Sequence, residues 1–376
     1  MRNFLNLDFL SLNSEAFGLD ISDLSFKIAK LRNEKGSFVL TSYIEQEIQS
    51  GIVEDGEIKN ENLLAKAIKK AVKEVKGEKL KTKYAIVSLP EEKAFVQVIQ
   101  MPQMNREELQ KSVRFEAENY IPLPFSESCL DFQIVQPLYN HLDHTDVLIS
   151  AFPRVIADKY VQAVKKAGLV PLVFEVESQA VSRAIVKNKV SPFPILLIDF
   201  GAVKSGFIIF SGHSLRFTSS IPVSSSKFTA AIAKNLNVST EEAERLKKEY
   251  GLTRKSKEGE AVFESLIPAL TDLMEQVKIH IRYYQTHSFH EHLALADHTV
   301  KKILICGGGA NLKGLTDFIS KELFLPVEIG NPWVNILGET PKEIPELPYE
   351  ESLAYTTALG LALRGARTSR ENKDHA

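Results

Sequence analysis

The chain reads as an α/β protein built from two similar halves. Two stretches carry that prediction. "LDISDLSFKIAKL" (19–31) and "IDFGAVKSGFIIF" (198–210) are each an apolar strand ending near an Asp, a tight turn, and a second strand with alternating apolar residues. The succession β-hairpin, helix, strand, helix follows both. With 376 residues there is room for two or three domains. A duplicated hairpin-plus-crossover unit is the simplest account, because each half then buries its own mixed sheet under helices.

Residues 17–60 are β-rich: the first hairpin, then "SFVLTSYIEQEI" and a turn at "EDGEI". In 60–76, Leu63, Leu64, Ala67, Ile68, Ala71, Val72 and Val75 fall on one helical face. "KYAIVSLP" and "KAFVQVIQMP" are strands closed by proline. A helix is predicted from about Asn105 to Tyr120, with Asn105 as its N-cap, Glu107 and Glu108 in the first turn, and Pro122 and Pro124 past its end. Strands at "LDFQIV" and "HTDVLISAFP", a helix at "RVIADKYVQAVKKAG" and a strand-to-helix passage at "LVPLVFEVESQAVSRAIV" complete the first half. The second opens with three strands in "FPILLIDFGAVKSGFIIFSGHSLRFTSSIPV". Helices follow at about 225–235, 239–250 and 260–286, then "KKILICGGGANLKGLTDFISKEL" as strand, glycine loop and helix, and a closing helix over 350–365.

The formal net charge of −2 offers no basic field to nucleic acid, and the lysine-rich 66–83 reads as the solvated face of a helix. Cys129 and Cys306 lie beside apolar residues, which predicts a reducing compartment and no disulfide framework. No apolar run is long enough to span a membrane. Residues 1–15 read as a leader strand or surface segment rather than a signal peptide, and 367–376 as a polar, flexible tail. His287, His290 and His292 have spacing that a metal could accept, but no cysteine lies near and no helix fixes their geometry, so no metal is assigned to them.

Three loops have the chemistry of an anion site. In Asp199-Phe200-Gly201-Ala202-Val203-Lys204-Ser205 the glycine lets backbone amides approach an anion, Ser205 adds a hydroxyl, and Asp199 suits a magnesium ion held through water. Gly307, Gly308 and Gly309 follow a buried strand and allow close approach of a flat ligand. The first turn, Asp20-Ile21-Ser22-Asp23, has the shape of a phosphate loop without its glycine. Glu244 and Lys247 share a helix face, which by spacing alone is an exposed ion pair.

The order and separation of these loops resemble the actin-like ATPase superfamily over about residues 16–366. Within it the chain is most similar to the PilM group of type IV pilus assembly proteins, the most discriminating stretch being "EAENYIPLPFSESCLDFQIV". The resemblance implies an actin-like (RNase H-like) duplicated two-lobe fold with a small α+β insertion subdomain. The first lobe would comprise 16–85, 171–190 and 350–366, the insertion 86–170, and the second lobe 191–349. It implies ATP and Mg2+ between the lobes. Asp20, with Ser22 and Asp23, would lie in the first phosphate loop, and Lys27 would reach the phosphates. Gly201, Ala202, Lys204 and Ser205 would form the second loop, with Asp20 and Asp199 near the magnesium. Glu244 and Lys247 would touch ribose or base, Gly307, Gly308, Gly309 and Asn311 would cradle the adenosine, and Glu177 would orient the attacking water. Relatives carry Asp-x-Gly-Ser/Thr in the first loop, where this chain has Ser22 and Asp23. The expectation is nucleotide binding with slow or absent hydrolysis, since one missing charge-stabilising group costs about two to three orders of magnitude in rate.

Helix 105–120 carries Leu109, Val113, Phe115, Ala117 and Tyr120 among charged residues, and reads as an amphipathic helix on a three-stranded sheet. The resemblance implies that a groove beside that sheet takes the short N-terminal tail of a PilN-like inner-membrane protein by strand addition. The chain would then be a cytoplasmic scaffold, associated with the inner membrane through partners. It would link that tail to motor or platform proteins of a type IV pilus or related type II secretion machine, as a possible homo-oligomer. Two alternatives stand beside this. One is an FtsA-like polymerising division protein, for which 367–376 lacks an apolar membrane-binding face. The other is an actin-fold small-molecule kinase, for which no Asp presents itself as a base.

Overall fold

A computed structural model describes residues 15–34, 37–138, 143–287, 298–338 and 344–371, the side chains of 367–371 excepted. The first half opens with β1 (Phe17–Ile21), β2 (Ser25–Glu34) and β3 (Ser37–Glu47), an antiparallel meander whose register sets Asp20 opposite Lys27. A ribbon of β4 (Val53–Glu54) and β5 (Glu57–Ile58) turns at Asp55-Gly56, both at positive φ. Next come α1 (Glu61–Glu74), capped by the Asn60 side chain, β6 (Lys76–Gly77), and β7 (Tyr84–Leu89), which runs parallel to β1.

The chain then leaves the lobe. β8 (Phe95–Pro102), α2 (Arg106–Ala117), β9 (Ser128–Ile134) and β10 (His144–Pro153) make a separate three-stranded sheet in the order β8-β10-β9. A reciprocal capping box between Asn105 and Glu108 starts α2, and Leu109, Val113 and Ala117 bury against the sheet. The chain returns through α3 (Arg154–Lys166), β11 (Val170–Val176), parallel to β7, and α4 (Glu177–Ile185). The part that builds its own sheet is therefore 95–153 rather than 86–170. β7 lies between β11 and β1, and α3 places Ala157, Tyr160, Ala163 and Val164 in the first lobe's core, because strand pairing and apolar burial draw both back into that lobe.

The second half repeats the plan. β12 (Ser191–Phe200), β13 (Ser205–Gly212) and β14 (Ser214–Ile221) form the meander. Then come α5 (Ser225–Leu236), α6 (Thr240–Tyr250), α7 (Lys257–His287), β15 (Lys302–Cys306), α8 (Leu315–Leu323) and β16 (Val327–Ile329). The sheet orders are β11-β7-β1-β2-β3-β6 and β14-β13-β12-β15-β16. Apart from the edge strand β6 they are the same arrangement, which is how the duplication shows in space.

After α9 (Tyr349–Ser352) and a 3-10 turn over Leu353–Tyr355, α10 (Thr356–Glu371) returns to pack on β1, β2 and α4. The closing helix is thus broken near its start and continues beyond 366, into the stretch expected to be a tail; 372–376 lie outside the described residues, as do 1–14, His290 and His292. Two glycines permit that packing. A Cβ on Gly18 would overlap the Ala358 carbonyl, and one on Gly360 would overlap the Ala180 carbonyl. Among the described residues no helix is long and apolar enough to cross a membrane.

Candidate functional site: the cleft between the two sheets

The ends of β1 and β12 bring the two Asp-containing turns face to face across a cleft of ≈ 230 Å³. Asp20, Ser22, Asp23, Lys27, Glu177, Asp199, Gly201, Ala202, Lys204, Gly307 and Gly308 all line it. A wider pocket of ≈ 610 Å³ continues outward and contains Glu244, Lys247, Gly308, Gly309 and Asn311. The two share Glu45, Gly308 and Ala354, so they adjoin. Ser205 stands apart: it is fully buried and its Oγ donates to the Val223 carbonyl (2.6 Å).

The first turn is held without glycine. Ser22 donates to the Ser25 carbonyl through both its N–H (2.9 Å) and its Oγ (2.8 Å). Asp23 is folded away from the loop axis, its Oδ1 accepting from the Gly56 N–H (2.9 Å) and its Oδ2 3.5 Å from Lys204 Nζ. The cation beside Asp23 is thus Lys204 of the other lobe. Lys27 pairs with Glu45 (3.1 Å) and donates to Ser25 Oγ. Lys204 also bonds Glu92.

In the second loop, a Cβ on Gly201 would lie 2.6 Å from the Lys204 carbonyl, so the tight turn requires glycine. The glycine-rich loop departs from expectation in one respect. A 3-10 turn (Gly308–Asn311) intervenes and α8 begins only at Leu315, past Gly314 at positive φ. Gly307 and Gly309 are demanded by packing, since a Cβ on either would overlap Phe200. Gly308 is exposed, and a Cβ there would meet only Ala354 at 3.6 Å, so it is the position left open to a ligand. Lys247 is buried, not an exposed ion-pair partner: it bonds Glu244 (2.6 Å), Ser225 and Thr229.

Several participants were not singled out from sequence. Glu91 and Glu92 follow Pro90 at the end of β7. Glu91 Oε2 accepts from the Ser178 N–H at the start of α4, while Glu177 Oε2 accepts from the Glu91 N–H. The signal was present as "LPEEK", two acids after a strand-ending proline, but their use depends on what β7 faces.

The electrostatics are lopsided. Asp20, Asp23, Glu45, Glu91, Glu92, Glu177 and Asp199 face only Lys27 and Lys204 among the lining residues. Loss of solvation raises the Asp20 carboxyl, against the pull of Lys27. Lost solvation, then Asp20, Glu92 and Asp199, push Glu177 well above the usual carboxyl range. Lost solvation and Asp20 push Asp199 up to about 6. Desolvation would lower the Lys204 ammonium, but Glu92 and Asp23 outweigh it and leave it raised.

Asp20 Oδ1 is buried with no hydrogen-bond partner. A buried acceptor of this kind is costly until a donor or cation meets it. These hard oxygen donors suit Mg2+. Among the described residues no three His, Cys, Asp or Glu form a direct ligand set, so a cation here would be completed by water and by oxygens of a second ligand.

Residues 18–366 match the family of type IV pilus assembly protein PilM. The chain belongs to the PilM family. A solved structure described as a PilM-PilN type IV pilus biogenesis complex is 25% identical, with a TM-score of 0.77 over 94% of this chain and 99% of that one. MreB5 of Spiroplasma citri bound to AMPPNP has a TM-score of 0.56 at 13% identity, over 96% of this chain and 98% of that one. At that identity the likeness shows the fold alone, which is actin-like. Cell division protein FtsA of Escherichia coli K12 is 23% identical over 279 residues, 67% of this chain and 63% of that protein, so the match spans less than two thirds of that relative.

Proposed function

We propose that this type IV pilus actin-like protein is a nucleotide-dependent scaffold, with Mg-ATP in the cleft and the N-terminal tail of a PilN-like protein in a groove on the opposite side of α4. The observation that carries this reading is the placement of α4. Glu177, Ser178 and Val181 line the cleft, while Gln179, Ser182 and Arg183 line the groove. One short helix therefore feels both ligands.

The groove has a volume of ≈ 940 Å³ and runs between β9 (Asp131, Gln133, Ile134) and β11 (Val173, Glu175). Among the described residues β9 pairs only with β10 and β11 only with β7, so both offer a free edge to an extended peptide. Glu175, almost fully buried, is bonded by Arg183 and lies 3.1 Å from Arg364, leaving a surplus of positive charge at the groove wall.

In the cleft, Asp20 and Asp199 would hold a hydrated Mg2+, Lys204 and Lys27 would contact phosphate, and the pocket about Gly308 and Glu244 would take the nucleoside. The metal supplies charge neutralisation to the polyphosphate. Glu177, whose carboxyl is raised by lost solvation and then by Asp20, Glu92 and Asp199, would orient the attacking water. Ser22 and Asp23 stand where the resemblance expects Gly and Ser/Thr in the first loop, which supports slow turnover. The bound tail would tie the scaffold to the inner membrane, and the scaffold would link that tail to motor or platform proteins of the pilus.

The test is calorimetry. A synthetic PilN-like N-terminal peptide should bind wild type with an affinity that changes when Mg-ATP is present, and Mg-ATP affinity should change by the same factor with peptide. Arg183→Ala should lose the peptide and keep Mg-ATP. Equal peptide affinity in Arg183→Ala would place the partner elsewhere.

A further inference from the structure

The arrangement about Lys204 goes beyond what a phosphate loop needs. Lys204 belongs to the second lobe, yet it is bonded by Glu92 and lies 3.5 Å from Asp23 Oδ2, both of the first lobe. The side chains of Lys204, Asp23 and Glu92 are 25%, 10% and 18% exposed, so this cluster is more shielded than the Lys27–Glu45 pair, where Glu45 is 44% exposed. Water screens such a cluster only in part.

Its geometry is fixed from behind by the β4–β5 turn. The Gly56 N–H holds Asp23 Oδ1, and Tyr160 Oη donates to the Gly56 carbonyl (2.9 Å). A Cβ on Gly56 would overlap Glu92, so the glycine lets the Glu92 turn close down on the ribbon. Asp23 and Glu92 are thereby presented side by side to the one lysine of the second loop. Glu92 Oε2 remains buried without a hydrogen-bond partner, so this carboxylate gains its compensation through Lys204.

We infer that Asp23 and Glu92 occupy the place of a nucleotide phosphate on Lys204, forming a cross-cleft latch that an incoming polyphosphate must displace. This rests on the nucleotide reading above. Binding is then an exchange of ion pairs: the phosphate gains the ammonium, and the two carboxylates lose it and face the new anion. A small neutral residue at position 23 would leave Lys204 freer. The carboxylate sets a threshold, so the cleft opens its lysine only to a ligand of high charge density carrying its own cation. Adenosine, which lacks phosphate, gains nothing from opening the latch.

Calorimetry with Mg-ATP, Mg-pyrophosphate and adenosine separates the possibilities. Asp23→Asn keeps the shape of the side chain and Glu92→Gln keeps its length, while each removes one charge. Both should bind Mg-ATP and Mg-pyrophosphate about tenfold more tightly than wild type, the scale of one partly screened charge, with adenosine affinity unchanged. Both should also melt earlier than wild type without ligand, because Lys204 loses a partner. Melting of Glu92→Gln, Lys204→Met and the double variant should show coupling between the two positions. Wild type and variants that bind Mg-ATP equally, or variants that bind it more weakly, would overturn the latch. So would independent melting effects at positions 92 and 204. No binding by any of the three proteins would instead overturn the nucleotide reading, and the exchange with it.

Discussion

Asp199→Asn should stabilise the protein. The Asp199 carboxyl is raised from about 3.8 to about 6, first by lost solvation and then by Asp20. A raised carboxyl means the folded state keeps a proton that the unfolded chain has released. Stability from this group therefore falls as pH rises from about 4 to about 6, and the loss is complete above that. At about 1.4 kcal/mol per pH unit, the span sets a ceiling of about 3 kcal/mol. Asp199 keeps partial solvent contact, so the realised value should lie below the ceiling. An Asn of the same shape cannot ionise and escapes the cost. With unfolding entropy of about 2 cal/mol/K per residue, 3 kcal/mol corresponds to about 4 °C in Tm for a chain of 376 residues melting cooperatively. Thermal melts at pH 4.5 and pH 7.5, without metal or nucleotide, decide the matter. The variant should melt higher than wild type at pH 7.5, with the gap narrowing toward pH 4.5. A gap that is absent, or equal at both pH values, would refute the assignment of an ionised, uncompensated Asp199.

Three other outcomes follow from the same geometry. Glu177→Gln should bind Mg-ATP with unchanged or higher affinity and lose any residual phosphate release, read by calorimetry and a phosphate assay; loss of binding would make Glu177 a ligand residue instead. Gly308→Ala should melt like wild type and weaken nucleotide binding, whereas Gly309→Ala should lower stability by about 1–3 kcal/mol through its clash with Phe200. Gly360→Ala should destabilise by a similar ~1–3 kcal/mol or more, and weaken both peptide and nucleotide binding, because it forces α10 away from the Ala180 carbonyl of α4. Wild-type affinities in that variant would show that α4 does not join the two sites.

Much of the fold was legible along the chain, because strand alternation and helical periodicity are local patterns. The duplicated turns, the helix capped by Asn105 and the Asp-ended strands needed only neighbours within one element. The likeness to the actin-like class and the PilM family was legible too, because it rests on the order of short motifs along the chain. What sequence could not supply was the set of pairings between distant segments. It placed β7 and α3 in the insertion, where sheet order and core burial put them in the first lobe. It read Lys247 by helix spacing as exposed, and tertiary packing buries it against α5. It saw three equivalent glycines, of which Phe200 claims two for packing. It saw Asp23 only as a departure from the phosphate-loop pattern, and the β4–β5 turn hands Asp23 to Lys204. The raised acids of the cleft belong to the same class. Asp20, Glu177 and Asp199 are ordinary carboxyls in the linear chain, and become raised only where the two lobes and α4 bury them out of water and, second to that, set other acids beside them.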